Sequence, residues 1–193
     1  MLLQNREQWE QQGVPEEGYA LPTFSLEDAG GRTIRLWDYK QRRPVLLAFV
    51  HATDCACCRV WLRSLLDRQA QLHELRVVTL VVVPEPAERL DALQAELGSV
   101  ASMLSDAERA VTARYIPTAP TAGSVAQFTR PKTATASLRQ PVGLYAADRY
   151  LHCLGRWFAE DADTLPPLDE PLSEIAFATQ EGCGCSLPAW PPR

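Results

Sequence analysis

The feature that most narrows the fold is a junction spanning residues 45–62. Val45-Leu46-Leu47-Ala48-Phe49-Val50 is an unbroken apolar run of strand length, as expected of a strand covered on both faces. After His51-Ala52-Thr53-Asp54 come Cys55-Ala56-Cys57-Cys58-Arg59 and then a helical segment over 58–75. In it Leu62, Leu65, Leu66 and Leu72 recur at helical spacing, while Arg63, Asp67, Arg68 and Gln71 fill the other side. A buried strand that feeds a helix through a polar, thiol-rich turn calls for helices layered on a sheet.

The remaining pattern extends that layering. Residues 76–83 form a second apolar run, ended by Pro84 and Pro86, and a helix with Leu90, Leu93 and Leu97 on one face follows over 87–97. A short helix is expected over 106–115. Upstream, Phe24-Ser25-Leu26-Glu27-Asp28 and Thr33-Ile34-Arg35-Leu36 flank a Gly30-Gly31 turn, the signature of a β-hairpin. Residues 142–147 and 150–159 read as two strands around Asp148-Arg149, and 172–179 as a closing helix. Residues 116–140, rich in Pro, Thr, Ala and Ser, carry little apolar periodicity and read as a surface insertion. The organisation expected is an N-terminal arm over 1–20, one α/β domain over 21–180 with that insertion, and a Cys- and Pro-containing tail over 181–193.

Charge removes several classes of partner. With 19 basic and 24 acidic side chains the net charge is −5, so neither nucleic acid nor an anionic membrane surface gains electrostatically from binding. No apolar run approaches the roughly 20 residues of a membrane span, and the first seven residues lack a signal peptide's apolar centre. The expectation is a cytoplasmic protein.

Six cysteines are too few for a disulfide scaffold, and in that compartment clustered thiols point to metal or redox chemistry. At a helix N-terminus, unpaired N–H groups and the macrodipole favour a thiolate. Cys55 and Cys58 are one turn apart, the spacing of an attacking thiol and a resolving thiol in disulfide exchange. Cys57 points about 100° away from Cys58 on a helix, toward a neighbouring subunit, the tail or nothing. Cys183-Gly184-Cys185 could act as a second, shuttling dithiol or join Cys55, Cys57 and Cys58 in a metal clip, although the combined spacing matches no recognised metal motif. Cys153 alternates with strand core residues and reads as packing. His51 either tunes the thiolate or is an ordinary polar strand end. Asp54 would oppose a low thiol pKa.

Four stretches, Phe24–Asp28, Gly31–Tyr39, Pro44–Phe49 and Cys55–Arg59, resemble the redoxin superfamily, which contains the alkyl hydroperoxide reductase/thiol-specific antioxidant peroxiredoxins and the thioredoxin-like thiol–disulfide oxidoreductases. The resemblance covers residues 21–100 closely and 141–178 loosely. It implies a thioredoxin-like fold with an N-terminal hairpin, a central mixed sheet and flanking helices. It also implies activity on a disulfide or a peroxide, with an external thiol reductant and no cofactor. Two departures matter. In the peroxiredoxin motif Pro-x-x-x-Thr/Ser-x-x-Cys, the hydroxyl position counted back from Cys55 is Ala52, with Thr53 one residue out of place and no proline at the required distance before the cluster. The Cys-x-x-Cys-Arg pattern is matched by Cys55, Cys58 and Arg59, but Asp54 replaces the usual aromatic and Cys57 the usual proline. Pro141 is the candidate for the cis-proline that faces the dithiol in such folds. The reading is therefore disulfide exchange through Cys55 and Cys58, with Thr53, Asp54, Cys57, Arg59 and Pro141 in support. The alternatives are a Cys55 peroxidase or a metal-binding or interaction module without catalysis.

Overall fold

The computed structural model describes residues 13–117, 142–159, 165 and 167–181. Its two apolar runs become the centre of a sheet. Strand β3 (Val45–Phe49) pairs in parallel with β4 (Val78–Val83), Val45 opposite Val78 and Phe49 opposite Val82. Successive side chains of a strand point to opposite faces, and here each face has its own core. Leu46 and Ala48 pack with Trp61, Leu62 and Leu65, whereas Val45, Leu47 and Phe49 pack with Tyr115 and Tyr145. Cover on both faces is why no polar residue interrupts β3.

The sheet grows outward from this pair. Strand β5 (Ser102–Ser105) joins β4 in parallel, and the hairpin of β1 (Ser25–Asp28) and β2 (Thr33–Arg35) adds antiparallel to β5. On the other side β6 (Val142–Ala147) and β7 (Cys153–Ala159) follow antiparallel, giving the order β2-β1-β5-β4-β3-β6-β7. The hairpin turn is held by the Asp28 carboxylate, which accepts hydrogen bonds from the Gly30 and Arg32 amides, both at 2.9 Å. Gly31 takes a φ of +74° there, a conformation that glycine adopts without a Cβ clash.

Among the described residues, five α-helices flank the sheet: α1 (Ala56–Asp67), α2 (Gln69–Glu74), α3 (Asp91–Leu97), α4 (Thr112–Tyr115) and α5 (Asp169–Glu181). Helix α1 buries Cys58, Trp61, Leu62 and Leu65, and each large apolar side chain so buried stabilises the fold by about 1.5–3 kcal/mol. This is the expected α/β, thioredoxin-like arrangement. None of the described helices is long and apolar enough to cross a membrane.

The largest departures from the sequence expectation lie in three elements, beyond shifted ends such as those of β7 (Cys153–Ala159), α3 (Asp91–Leu97) and α5 (Asp169–Glu181). The helix expected over 58–75 begins earlier, at Ala56, and breaks at Arg68, whose φ of −102° and ψ of 10° leave the helical region; its amide bonds back to the Leu65 and Leu66 carbonyls. The break lets Leu72 turn onto the core. The helix expected over 106–115 shrinks to α4, because the buried Asp106 carboxylate accepts from the Thr112 amide (2.7 Å), the Thr112 hydroxyl (2.6 Å) and the Val111 amide (3.2 Å). Those bonds close the chain into a turn before the helix starts. Strand β5 was not anticipated, since four residues of Ser-Met-Leu-Ser carry too little periodicity to register. The tail thiols Cys183 and Cys185, Pro141 and most of the expected insertion lie outside the described residues.

Candidate active site

The cysteine loop is built where β3 and β4 end side by side. Val50 continues the ladder by one bond, its amide donating to the Val82 carbonyl at 3.1 Å, and the chain then leaves the sheet. Two residues past the end of β4, between Pro84 and Pro86, the buried Glu85 reaches across. Its carboxylate accepts from the Thr53 amide at 2.7 Å and the Thr53 hydroxyl at 3.0 Å. Parallel pairing makes this clamp possible, since it brings both strand ends to one edge of the sheet. The loop then turns through a 3.4 Å bond from the Cys55 amide to the Ala52 carbonyl, and Cys55 becomes the N-cap of α1.

Around Cys55 the side chains converge. Its Sγ lies 3.0 Å from Cys57 Sγ and 3.7 Å from His51 Nδ1, and the same nitrogen lies 3.6 Å from Cys58 Sγ. The Cys58 amide, one of the free N–H groups of the first helical turn, faces the Cys55 sulfur without forming a full capping bond. Burial pushes the Cys55 thiol up, but the Cys57 thiol, the Cys58 amide, the His51 ring and the Cys58 thiol outweigh it, and the pKa falls from the ordinary 9.0 to about 6. Cys58 is fully buried beneath it. Burial, together with the contact and charge of Cys55, holds that thiol well above the ordinary range. The two thiols are driven in opposite directions, Cys55 toward the thiolate and Cys58 toward the protonated form.

The expected site residues divide accordingly. Cys55 and Cys58 come together as the spacing predicts. Cys57 does not point away; half-buried, its sulfur turns back onto Cys55, because side chains at the start of a helix tilt toward the N-terminus. Thr53 supports the loop through Glu85. Asp54 is exposed, so solvent screens the opposition expected of it. Arg59 turns outward to Glu96 at 2.9 Å, a carboxylate it shares with Arg63. His51 stands against the sulfurs, and Cys153 is buried as packing. Sequence reading missed Glu85, for which the available signal was a carboxylate between two prolines at the end of a strand paired with β3.

Comparison with solved structures finds the same fold repeatedly. Peroxidoxin BcpB from Mycobacterium tuberculosis superposes with a TM-score of 0.67 at 18% identity, over 84% of this chain and 97% of that one. A thiol peroxidase from Chromobacterium violaceum gives 0.63 at 18% identity, over 88% of each chain. The reduced 2-Cys peroxiredoxin of Plasmodium vivax gives 0.65 at 16% identity, over 90% of this chain and 88% of that one. No curated protein matches significantly. The model of the AhpC/TSA family matches residues 18–133, a span that runs from before the hairpin through the thiol loop to beyond β5 and covers more than half of the sequence. The chain belongs to the AhpC/TSA family, within the redoxin superfamily that its sequence resembles.

Proposed function

We propose that the protein is a thiol-dependent oxidoreductase that reduces a disulfide through Cys55 and Cys58. The observation that carries this reading is the Cys55 sulfur at the head of α1, in contact with a second thiol and within 4.8 Å of the buried third. The Cys55 thiolate attacks one sulfur of the substrate disulfide; that S–S bond breaks and the other half leaves as a thiolate, which takes a proton from water. Cys58 then attacks Cys55 in the mixed disulfide and releases the second half as a thiol. His51, 3.6 Å from Cys58 Sγ, stands where the proton of that thiol must go. Two electrons have then passed to the substrate, and an external thiol reductant restores the dithiol. Pro141 would shape the substrate groove, and the compartment we infer is the cytoplasm.

Family membership favours a second reading, a peroxidase. Here the Cys55 thiolate takes one peroxide oxygen as a sulfenic acid, the other leaves as water or an alcohol, and a neighbouring thiol condenses with loss of water. Against it stands the donor set. A peroxidatic cysteine needs hydrogen-bond donors aimed at the developing oxyanion, and losing one costs about 2.7–4 kcal/mol. Ala52 offers none, and the Thr53 hydroxyl is committed to Glu85. Second-order rates with hydrogen peroxide and with a model disulfide, for the wild type and Cys55→Ser, separate the two. We expect Cys55-dependent disulfide reduction and a peroxide rate near that of a free thiolate. Fast, Cys55-dependent peroxide consumption would give the peroxidase first place, and rates unchanged in Cys55→Ser would refute both.

A further inference from the structure

Disulfide chemistry needs two sulfurs, yet four donors converge on one point. His51, Cys55, Cys57 and Cys58 each offer a ligand atom, and these atoms all lie within 4.8 Å of one another. We propose that in the reduced protein these four side chains form a Cys3His site for a zinc-type d10 cation. The proposal stands on donor type and spacing and is independent of the redox reading.

The dimensions fit. With Zn–S of about 2.3 Å and Zn–N of about 2.0–2.1 Å, the edges of a tetrahedral site are roughly 3.8 Å between sulfurs and 3.6 Å between sulfur and nitrogen. His51 Nδ1 already stands 3.7 Å from Cys55 Sγ and 3.6 Å from Cys58 Sγ. The 3.0 Å separation of Cys55 and Cys57 must open by several tenths of an ångström. Both side chains are half-buried at the head of α1 and packed against the core, so this opening is the adjustment that a bound ion would have to drive. Three thiolates and an imidazole select a soft or borderline ion over magnesium or calcium. The site carries a net charge of −1 when filled by a divalent ion, and it sits at the positive end of the 12-residue helix α1.

The second coordination shell limits the affinity. Coordination through Nδ1 leaves the ring proton on His51 Nε2, a buried atom without a hydrogen-bond partner among the described residues. Outer-shell partners of this kind typically raise metal affinity about 10–100-fold, so binding should be weaker by that factor than at a fully buttressed Cys3His site. Such a site is exchangeable, and while it is filled the Cys55 sulfur cannot attack a substrate.

Cobalt(II) is the probe, added anaerobically to the reduced full chain. The proposal expects saturation at one equivalent, a near-ultraviolet thiolate-to-cobalt charge-transfer band and the intense visible bands of tetrahedral cobalt, all bleached by one equivalent of zinc. Cys57→Ser, a half-buried position outside the deep core, should retain its circular dichroism, lose at least tenfold in affinity and lose about a third of the charge-transfer intensity. His51→Gln should weaken binding likewise, which covers the case of a misfolded Cys57 variant. A double Cys183→Ser/Cys185→Ser variant should bind as the wild type does. The weak spectrum of octahedral cobalt, affinity unchanged in both Cys57→Ser and His51→Gln, or loss of binding in the tail variant would each overturn the site. Turnover of the metal-free protein is measured separately, so failure of the redox reading leaves this result standing and the reverse also holds.

Discussion

The low pKa of Cys55 depends on a neighbour that simple helical geometry would have sent elsewhere, and Cys57→Ala tests that dependence. The variant removes the S–H group 3.0 Å from the Cys55 sulfur and leaves the backbone and His51 in place. A hydrogen bond to a charged group contributes about 1.5–3 kcal/mol, and one pKa unit corresponds to about 1.36 kcal/mol. The S–H group is a weak donor, which selects the lower end of that range and a rise of about one unit. The midpoint should move from about 6 to roughly 7, so that at pH 7 the thiolate fraction falls from about nine-tenths to about half. The assay is the rate of iodoacetamide alkylation at Cys55 in reduced, metal-free protein, followed by mass spectrometry across pH. Below the midpoint the thiol holds its proton and the rate falls about tenfold per unit; above it the rate is flat. A wild-type midpoint near the ordinary 9.0, or a midpoint unmoved in Cys57→Ala, would refute the reasoning.

Two further substitutions test the scaffold. In Gly143→Ala the new Cβ would collide with the buried Ile116 and stand 3.1 Å from the Phe158 ring. Overpacking of that kind costs about 1–3 kcal/mol, a fall in Tm of a few degrees to about ten at this chain length, and an unchanged melting curve would show that the β6 face is looser than described. Glu85→Gln sets an amide NH2 against one of the two Thr53 donors and should cost roughly 1–3 kcal/mol, with faster hydrogen exchange at the Thr53 amide; equal exchange in variant and wild type would remove Glu85 from its role as the loop's clamp.

The parts of this molecule that were legible in its sequence are those fixed by local pattern. The six-residue run ending at Val50 could only be a strand covered twice, and the Gly30-Gly31 turn could only close a hairpin, so β3 and the β1–β2 pair sit where expected. The nearness of Cys55 to Cys58 followed from their spacing at the head of one helix. What escaped depended on contacts between distant segments. Glu85 lies 32 residues from Thr53 in sequence, and only the parallel register of β3 with β4 brings the two together. The late start of the helix expected over 106–115 rests on one buried carboxylate, which looks like any other aspartate until its three donors are seen. The direction of Cys57 was misjudged because its angular position around the helix axis says nothing of the tilt of a side chain at the first turn.

The most direct test of the central claim, that Cys55 is the attacking thiolate, is a peptide map of the reduced, metal-free protein after one equivalent of a model disulfide. We predict a mixed disulfide on Cys55 that decays to an intramolecular bond between Cys55 and Cys58, reversed by a thioredoxin-type reductant. In Cys58→Ser the mixed disulfide should persist or pass to Cys57, and in Cys55→Ser no adduct should form at this cluster. A map in which Cys55 remains a free thiol while the model disulfide is consumed, or in which Cys55→Ser consumes it as fast as the wild type, would contradict the account.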